Sequence, residues 1–305
     1  VARAKAWIKG GGKAVAPWDD KNFKAPSGKI FSPIGMMVWP PANAIYRKET
    51  FDNYPAVKAI LKCVYEGLQV PFDTALKIET RYFAQIMRSK EAAAMIRSLF
   101  LSMGELNKGA RRPKAEPKTN LRKIGVIGAG FMGAGIAYVT ASAGAEVVLV
   151  DRDQAAADKG KAHSDALISA RVAKGRASAA DKEALLGRIK ASADYNDLKG
   201  CDLVVEAVFE DRGVKAETTK KAQAVLGADV VFASNTSTLP ITSLASEAIK
   251  PENFIGIHFF SPVDKMLLVE IIMGEKTGDK ALATALDFVR LIKKTPIVVN
   301  DTRGF

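Results

Sequence analysis

The chain has 305 residues, 48% hydrophobic and 26% charged, an ordinary globular composition with room for two domains of roughly 100–200 residues each. Its net charge of +12 suits nucleic acid or a phosphate-rich small molecule; with no aromatic-and-basic stacking pattern and no DNA-reading motif, a polyanionic cofactor or substrate is the economical partner and nucleic acid is not. No apolar stretch approaches the roughly 20 residues that span a bilayer. VARAKAWIKGGGK lacks the apolar core of a secretory signal, and Cys63 and Cys201 make neither a disulfide framework nor a metal cluster, which points to a reducing, cytoplasmic setting. The start at Val1 without Met, and the stop at Phe305 just after an apolar run, suggest a segment of a longer protein.

Residues 1 to 50 are rich in Gly, Pro and Lys, with no sustained period. GGKAVAPWDDKNFKAPSG reads as a loop that orders on contact, with Trp18 and Phe23 as anchors. Phe31 to Pro41, with Met36, Met37 and Trp39, is apolar enough to need a partner surface. From Asn53 the pattern turns helical: Val57, Ile60, Leu61, Val64, Tyr65 and Leu68 recur at three- and four-residue steps, with Pro55 tolerated in the first turn. A second helix is expected from about Asp73 to Arg88, burying some of Leu76, Ile78, Tyr82, Phe83 and Ile86. A third is expected from about Ser89 to Leu106, with Ile96, Leu99, Phe100 and Met103 inward. No polar residue interrupts these stripes, so they read as helix packing. Between Lys108 and Lys123 seven basic residues face one acid, Glu116, and Pro113 and Pro117 interrupt any helix; this is a linker or domain boundary.

Lys123 to Asp151 organises the rest. A buried strand, Ile124 to Ile127, breaks into Gly128-Ala129-Gly130-Phe131-Met132-Gly133 and a helix, and a second apolar run, Val147 to Val150, ends on Asp151. Gly128 allows a tight turn, Gly130 lets a pyrophosphate approach the backbone, and Gly133 lets helix pack on strand. The helix N-terminus then receives the phosphates on free N–H groups. Asp151, 18 residues past Gly133, can accept hydrogen bonds from the adenosine ribose. An ordinary βαβ turn without ligand is the alternative. A carboxylate there repels a 2′-phosphate and so favours NAD over NADP, a preference that the neighbouring Arg152 tempers.

After Asp151 a polar, Ala- and Lys-rich stretch to about Ala191 reads as two helices, the second opened by a capping box of Ser178 and Asp181, with His163 solvent-exposed in the first. Strands resume at Leu203–Val208 and Val230–Ala233, with a helix from about Asp211 between them. This alternation builds a doubly wound, mostly parallel α/β sheet of the Rossmann type, in which ligands bind at the carboxyl ends of the strands. Cys201, just before a buried strand, is an inert core-edge residue.

Three strand ends stand out by content: Val208-Phe209-Glu210 with Lys215 five residues on; Ser234-Asn235-Thr236-Ser237; and Ile257-His258-Phe259-Phe260-Ser261-Pro262 followed by Leu268-Val269-Glu270. Glu270 lies 12 residues after His258, a spacing that suits neighbouring strands and sets the carboxylate beside the imidazole. A His–carboxylate pair suits alcohol oxidation, where a hydroxyl proton must leave as hydride goes to the nicotinamide. A lone His on an apolar strand is more often structural, and on spacing alone both readings stand.

GVIGAGFMGAGIA, DLVVEAVFEDRGVK, ASNTSTLPIT, ENFIGIHFFSPVDKMLLVEII and VVNDTRGF together resemble the 3-hydroxyacyl-CoA dehydrogenase family, and more closely the dehydrogenase part of multifunctional fatty acid oxidation α subunits. The likeness covers about Leu121 to Phe305. It implies NAD-dependent oxidation of (S)-3-hydroxyacyl-CoA to 3-ketoacyl-CoA in β-oxidation, with His258 as base, Glu270 as its partner and Ser237 bonded to the substrate oxygen near the nicotinamide. It also implies an NAD site lined by Gly128, Gly130, Phe131, Met132, Gly133, Asp151, Val208, Phe209, Glu210, Lys215 and Ser237, and a CoA-phosphate contact at Lys174. Many relatives have Asn where this chain has Ser261, so that nicotinamide-side contact is altered. The family's Asn beyond Gly304-Phe305, and the helical domain that closes its substrate cleft, are not in this chain.

YPAVKAILKCVYEGLQVPFDTALKIETRYFAQIMRSKEA resembles the tail of the enoyl-CoA hydratase domain and linker of the same proteins. The expected organisation is therefore residues 1–118 as hydratase tail plus helical linker, without hydratase activity, and residues 119–305 as the NAD-binding dehydrogenase domain. A thiolase β subunit is the protein partner to consider in the parent complex. The rival readings are a dehydrogenase of a free 3-hydroxy acid and an NAD-holding fragment without turnover.

Overall fold

The computed structural model describes residues 1–12, 14–20, 22–25 and 28–305. The chain divides into two compact units, Val1–Ser102 and Met103–Phe305. Among the described residues no helix is long and apolar enough to cross a membrane.

The first unit is helical: α1 (Ala2–Lys9), α2 (Pro33–Thr50), α3 (Pro55–Gly67), α4 (Phe72–Met87), α5 (Lys90–Met95) and a π-helical stretch, Ile96–Ser102. The expected loop over residues 11–28 includes four residues outside those described; of its two anchors, Trp18 stacks on Phe72 with centroids 5.5 Å apart, while Phe23 is exposed. The apolar run from Phe31 is helix, which the sequence reading did not foresee because Pro40 and Pro41 sit inside it. Its start is well specified: the Ser32 hydroxyl accepts from the Gly35 N–H at 3.2 Å, Pro33 takes the first helical position, and Phe51 ends the helix in the left-handed region. Met36 and Met37 remain exposed on it.

Helices α3 and α4 pack together with Ile78, Tyr82 and Ile86 half-buried, while Leu76 and Phe83 face out. The third expected helix differs more. Ile96, Leu99 and Phe100 are exposed rather than inward: the chain winds there with i→i+5 bonding, and every residue from Ile96 to Ser102 is exposed, so the stretch has no inward face.

The second unit opens with α6 (Met103–Asn107) and the basic segment, which is tied to the unit's own body: the Arg112 guanidinium clasps Asp287 at 2.8 and 2.9 Å, and the Thr119 N–H donates to the same carboxylate at 2.9 Å. Then follow β1 (Lys123–Ile127), α7 (Phe131–Ser142), β2 (Glu146–Val150), α8 (Gln154–Ala173), α9 (Ala179–Gly187), β3 (Ile189–Ser192), β4 (Leu203–Glu206), α10 (Arg212–Leu226), β5 (Val231–Ser234), α11 (Ile241–Ala245), β6 (Phe254–Phe259), β7 (Leu268–Met273), α12 (Asp279–Leu291) and β8 (Thr295–Asn300). The eight strands form one sheet in the order β3-β2-β1-β4-β5-β6-β7-β8. Strands β1 to β6 are parallel; β7 pairs antiparallel with β6, and β8 runs parallel to β7.

Both sheet faces are covered, so the strands read as unbroken apolar runs whose successive residues enter opposite cores. Along β4, Leu203 and Val205 join a core with Ile136 and Ala137 of α7 and Phe288 of α12, whereas Val204 joins Ala222 of α10 and Ile241 of α11 on the other side. Each fully buried aliphatic side chain of this kind contributes about 1.5–3 kcal/mol. The capping box of α9 forms from Ser178 and Asp181. The strand order reverses between β1 and β4, which opens a crevice at their carboxyl ends.

Candidate active site

The glycine turn lies at that crevice. Gly128 has φ +92°, and a Cβ on it would meet the Ala207 carbonyl oxygen at 2.6 Å, so β1 and the segment after β4 approach as closely as backbone allows. A Cβ on Gly133 would lie 1.7 Å from the Gly128 carbonyl oxygen, which is how the helix seats on the turn. Gly130 is different: a Cβ there meets nothing within 4 Å. It is the N-cap of α7 and provides no side-chain cap, leaving the first-turn N–H groups of Phe131, Met132 and Gly133 directed at open space. A free helix N-terminus with a positive dipole end and a clear approach fits a pyrophosphate.

Asp151 sits half-buried past the end of β2, and its two carboxylate oxygens accept from the Ala129 N–H at 2.5 Å and the Arg152 N–H at 2.7 Å. Arg152 turns away, 85% exposed and paired with Asp153. Met132 is half-buried and Phe131 exposed. His163 is not solvent-exposed, as its polar helix suggested; it is half-buried with its ring edge against Phe131, centroids 6.3 Å apart.

The second strand-end cluster is charged and buried. Lys215 in the first turn of α10 is 1% exposed; its Nζ reaches both oxygens of Glu206, the last residue of β4, at 2.9 and 3.1 Å and Glu210 Oε2 at 3.3 Å. Glu206, also 1% exposed, accepts in addition from the Ser234 hydroxyl and from the Val208 N–H. Glu210 Oε1 gathers the turn after β5, accepting from the Thr236 hydroxyl at 2.6 Å, the Ser237 N–H at 2.9 Å, the Thr238 N–H at 3.2 Å and the Ser237 hydroxyl at 3.4 Å. Partial burial would raise the Glu210 carboxyl, but the Thr236 hydroxyl, the Lys215 ammonium and the Ser237 amide outweigh it and hold the group below its ordinary value. Val208 is half-buried and Phe209 exposed. Sequence reasoning passed over Glu206. The signal was present, since a charge inside an apolar parallel strand demands a partner, and Lys215 follows nine residues on.

The third cluster is the imidazole pair. His258 on β6 stands directly opposite Glu270 on β7, and His258 Nδ1 lies 2.7 Å from Glu270 Oε2, with side chains 17% and 16% exposed. The rings of Phe260 and Phe305 flank the imidazole at 4.8 and 6.1 Å. Two hydrogen bonds stitch the strand ends together: the Phe259 N–H donates to the Asn235 side-chain Oδ1 at 2.9 Å, and the Asn235 N–H donates to the Glu206 backbone carbonyl at 2.8 Å. Ser261 is exposed on the following loop. That loop has an anchor the sequence reading did not identify, the buried Lys294 ammonium, which donates to the Val263 and Met266 carbonyls at 2.5 Å each; burial lowers its pKa. Lys174 is not brought to these clusters. It is the exposed C-cap of the 20-residue α8, roughly 30 Å of helix from the end of β2.

The arrangement sets a turn with free amides, a hydroxyl-bearing turn and a carboxylate-oriented imidazole along the carboxyl ends of one sheet. Comparison with known proteins agrees in kind. The profile described as "3-hydroxyacyl-CoA dehydrogenase, NAD binding domain" matches residues 123–302. The chain is 38% identical over 259 residues to the fatty acid oxidation complex subunit alpha of Shewanella amazonensis, covering 85% of this chain and 36% of that protein. It is 38% identical over 270 residues to the same subunit of Pseudomonas savastanoi, covering 88% and 37%. It thus spans little more than a third of the length of these curated relatives. Among solved structures, the (S)-3-hydroxybutyryl-CoA dehydrogenase of Ralstonia eutropha is 40% identical with a TM-score of 0.60, over 61% of this chain and 66% of that one.

Proposed function

The chain belongs to the 3-hydroxyacyl-CoA dehydrogenase family and contains its NAD-binding domain, and from that premise we propose that it oxidises the hydroxyl of an (S)-3-hydroxyacyl-CoA to a ketone, as in fatty acid β-oxidation. The observation that supports this most directly is the His258–Glu270 rung at the carboxyl edge of the sheet, 2.7 Å between Nδ1 and Oε2.

The residues present fit the cofactor. The uncapped N-terminus of α7 offers its amides to the pyrophosphate beside Gly130, and Asp151 offers a carboxylate to the ribose while opposing a 2′-phosphate. NAD supplies a hydride acceptor at the nicotinamide. His258 carries its proton on Nδ1, donating to the Glu270 carboxylate, so that Nε2 is the free base for the substrate hydroxyl. Glu270 then stabilises the imidazolium that results. Ser237 turns its hydroxyl from the long 3.4 Å contact with Glu210 to donate to the substrate oxygen, while the shorter bond from its N–H to Glu210 keeps the turn in place. Val208, Phe209, Glu210, Lys215 and Ser261 border the nicotinamide side, and Lys174 is the cation offered to the CoA phosphates.

We read residues 1–118 as hydratase tail and linker and residues 119–305 as the dehydrogenase domain. In a longer parent, a thiolase β subunit is the partner we propose, and the two-cysteine composition suits a reducing cytoplasm.

The test is loss of NADH absorbance on addition of acetoacetyl-CoA, run beside fluorescence titration of NADH. His258→Ala is expected to lower turnover by about 100- to 10,000-fold while leaving NADH affinity nearly intact. A variant turning over at the wild-type rate removes His258 from the reaction; wild-type chain that binds NADH without turnover limits it to cofactor binding.

A further inference from the structure

The proposed reaction gives Glu206 no part, yet Glu206 is the most completely committed carboxylate near it. It ends strand β4 with 1% of its side chain exposed, where a carboxylate without partners would be severely penalised. Its partner, Lys215, is buried to the same degree. Buried ion pairs of this kind are often no more stable than apolar residues of the same volume, so stability alone does not account for it.

The geometry shows what the pair controls. Lys215 Nζ is shared between Glu206, at 2.9 and 3.1 Å, and Glu210 Oε2, at 3.3 Å. Glu210 thereby divides its oxygens: Oε2 faces the ammonium, and Oε1 is left for the hydroxyls and N–H groups of Thr236, Ser237 and Thr238. Because Glu206 takes the shorter contacts, Lys215 is held back from Glu210. Remove the charge on Glu206 and the ammonium has one carboxylate left; it can then engage both Glu210 oxygens and draw Oε1 away from the turn.

We propose that Glu206 is a positioning residue: by holding Lys215 against the end of β4 it leaves Glu210 Oε1 free to order the turn that presents Ser237. Resting on the reading of Ser237 as the substrate-binding hydroxyl, this adds a second layer beneath it. Glu206 also ties that turn to the His258 strand, since its carbonyl accepts from the Asn235 N–H and Asn235 Oδ1 accepts from the Phe259 N–H.

The experiment is amide hydrogen exchange on the whole chain, comparing wild type, Glu206→Gln, and Glu206→Gln combined with Lys215→Met. Gln keeps the shape of Glu206 and removes its charge. Exchange at the Ser237 and Thr238 amides is expected to quicken by about tenfold or more in Glu206→Gln, the loss of a hydrogen bond to a charged acceptor, with the amides of β1 and β2 unchanged. The double variant, with no ammonium left to pull on Glu210, is expected to regain protection to within about threefold of wild type. A residue that only fills space would make the double variant worse than the single one, and that result overturns the proposal. So does unchanged exchange in Glu206→Gln. If that single variant does not fold, the double variant decides alone: Ser237 and Thr238 protected supports the proposal, and unprotected rejects it. In turnover, Glu206→Gln should lower kcat, and the double variant should recover part of it. Wild-type chain without turnover sinks the functional reading, while the exchange result still judges the positioning role.

Discussion

Replacing Glu270 with Gln separates charge from shape at the imidazole pair. The amide keeps the length of the side chain, and its carbonyl can still accept from His258 Nδ1, so the tautomer survives. What disappears is the anion that faces the imidazolium. With both side chains more than four-fifths shielded and 2.7 Å between the bonded atoms, charge centres about 4 Å apart at an effective dielectric near 20 attract by about 4 kcal/mol. Desolvation already suffered by the carboxylate returns a part of that, which leaves about 3–4 kcal/mol, or a rate reduction of about 100- to 1,000-fold. The assay is NADH oxidation with acetoacetyl-CoA, with the NADH dissociation constant and thermal midpoint measured on the same preparations. Unchanged cofactor affinity with the rate down by that amount supports the account. A rate within about threefold of wild type would refute it, because no imidazolium would then be taking part beside the carboxylate as the proton donor to the ketone.

The glycine turn offers a paired test. Gly133→Ala forces a Cβ against backbone at 1.7 Å and should lower stability by about 1–3 kcal/mol together with NADH affinity, whereas Gly130→Ala has open space and an unstrained φ of −66°, so it should fold like wild type and still lose affinity. Titration of NADH into Gly130→Ala with an unchanged dissociation constant would place the pyrophosphate elsewhere. The Arg112–Asp287 clasp predicts a pH signature. Burial would raise the Asp287 carboxyl, but Arg112 and the Thr119 N–H depress it overall, so its stabilisation is present above the unfolded value and lost as pH falls through the lower folded one. Urea midpoints should show Asp287→Ala less stable by about 3 kcal/mol at neutral pH, with the gap closing below the ordinary aspartate value of 3.8; a gap independent of pH would contradict the ion-pair account.

Much of the second unit was legible because burial on both faces leaves a direct trace in composition. Ile124 to Ile127 and Val147 to Val150 are apolar runs with no other use, and Asp211 opens α10 as an N-cap whose oxygen accepts from the Val214 N–H. The opposition of His258 and Glu270 was readable from a spacing of 12 because an antiparallel pair folds back on itself. What escaped was of two kinds. Local rules failed in two places: Pro40 and Pro41 argue against helix, yet α2 continues through them, and the apolar stripe of Ile96, Leu99 and Phe100 lies on a stretch that buries none of its residues. Partnerships across long sequence distances left no periodic trace, as with Arg112 and Asp287, 175 residues apart, or Lys294 and the carbonyls of Val263 and Met266.

The antiparallel rung has a bearing on what the imidazole pair can tolerate. Side chains alternate across a strand, so slipping β7 by one residue against β6 would send Glu270 to the opposite face. Register is therefore what the imidazole pair depends on, more than the distance along the chain between its two members. The segment from Ser261 to Leu267 that joins the strands is itself held by Lys294 through the Val263 and Met266 carbonyls, so the connection and the register are anchored together.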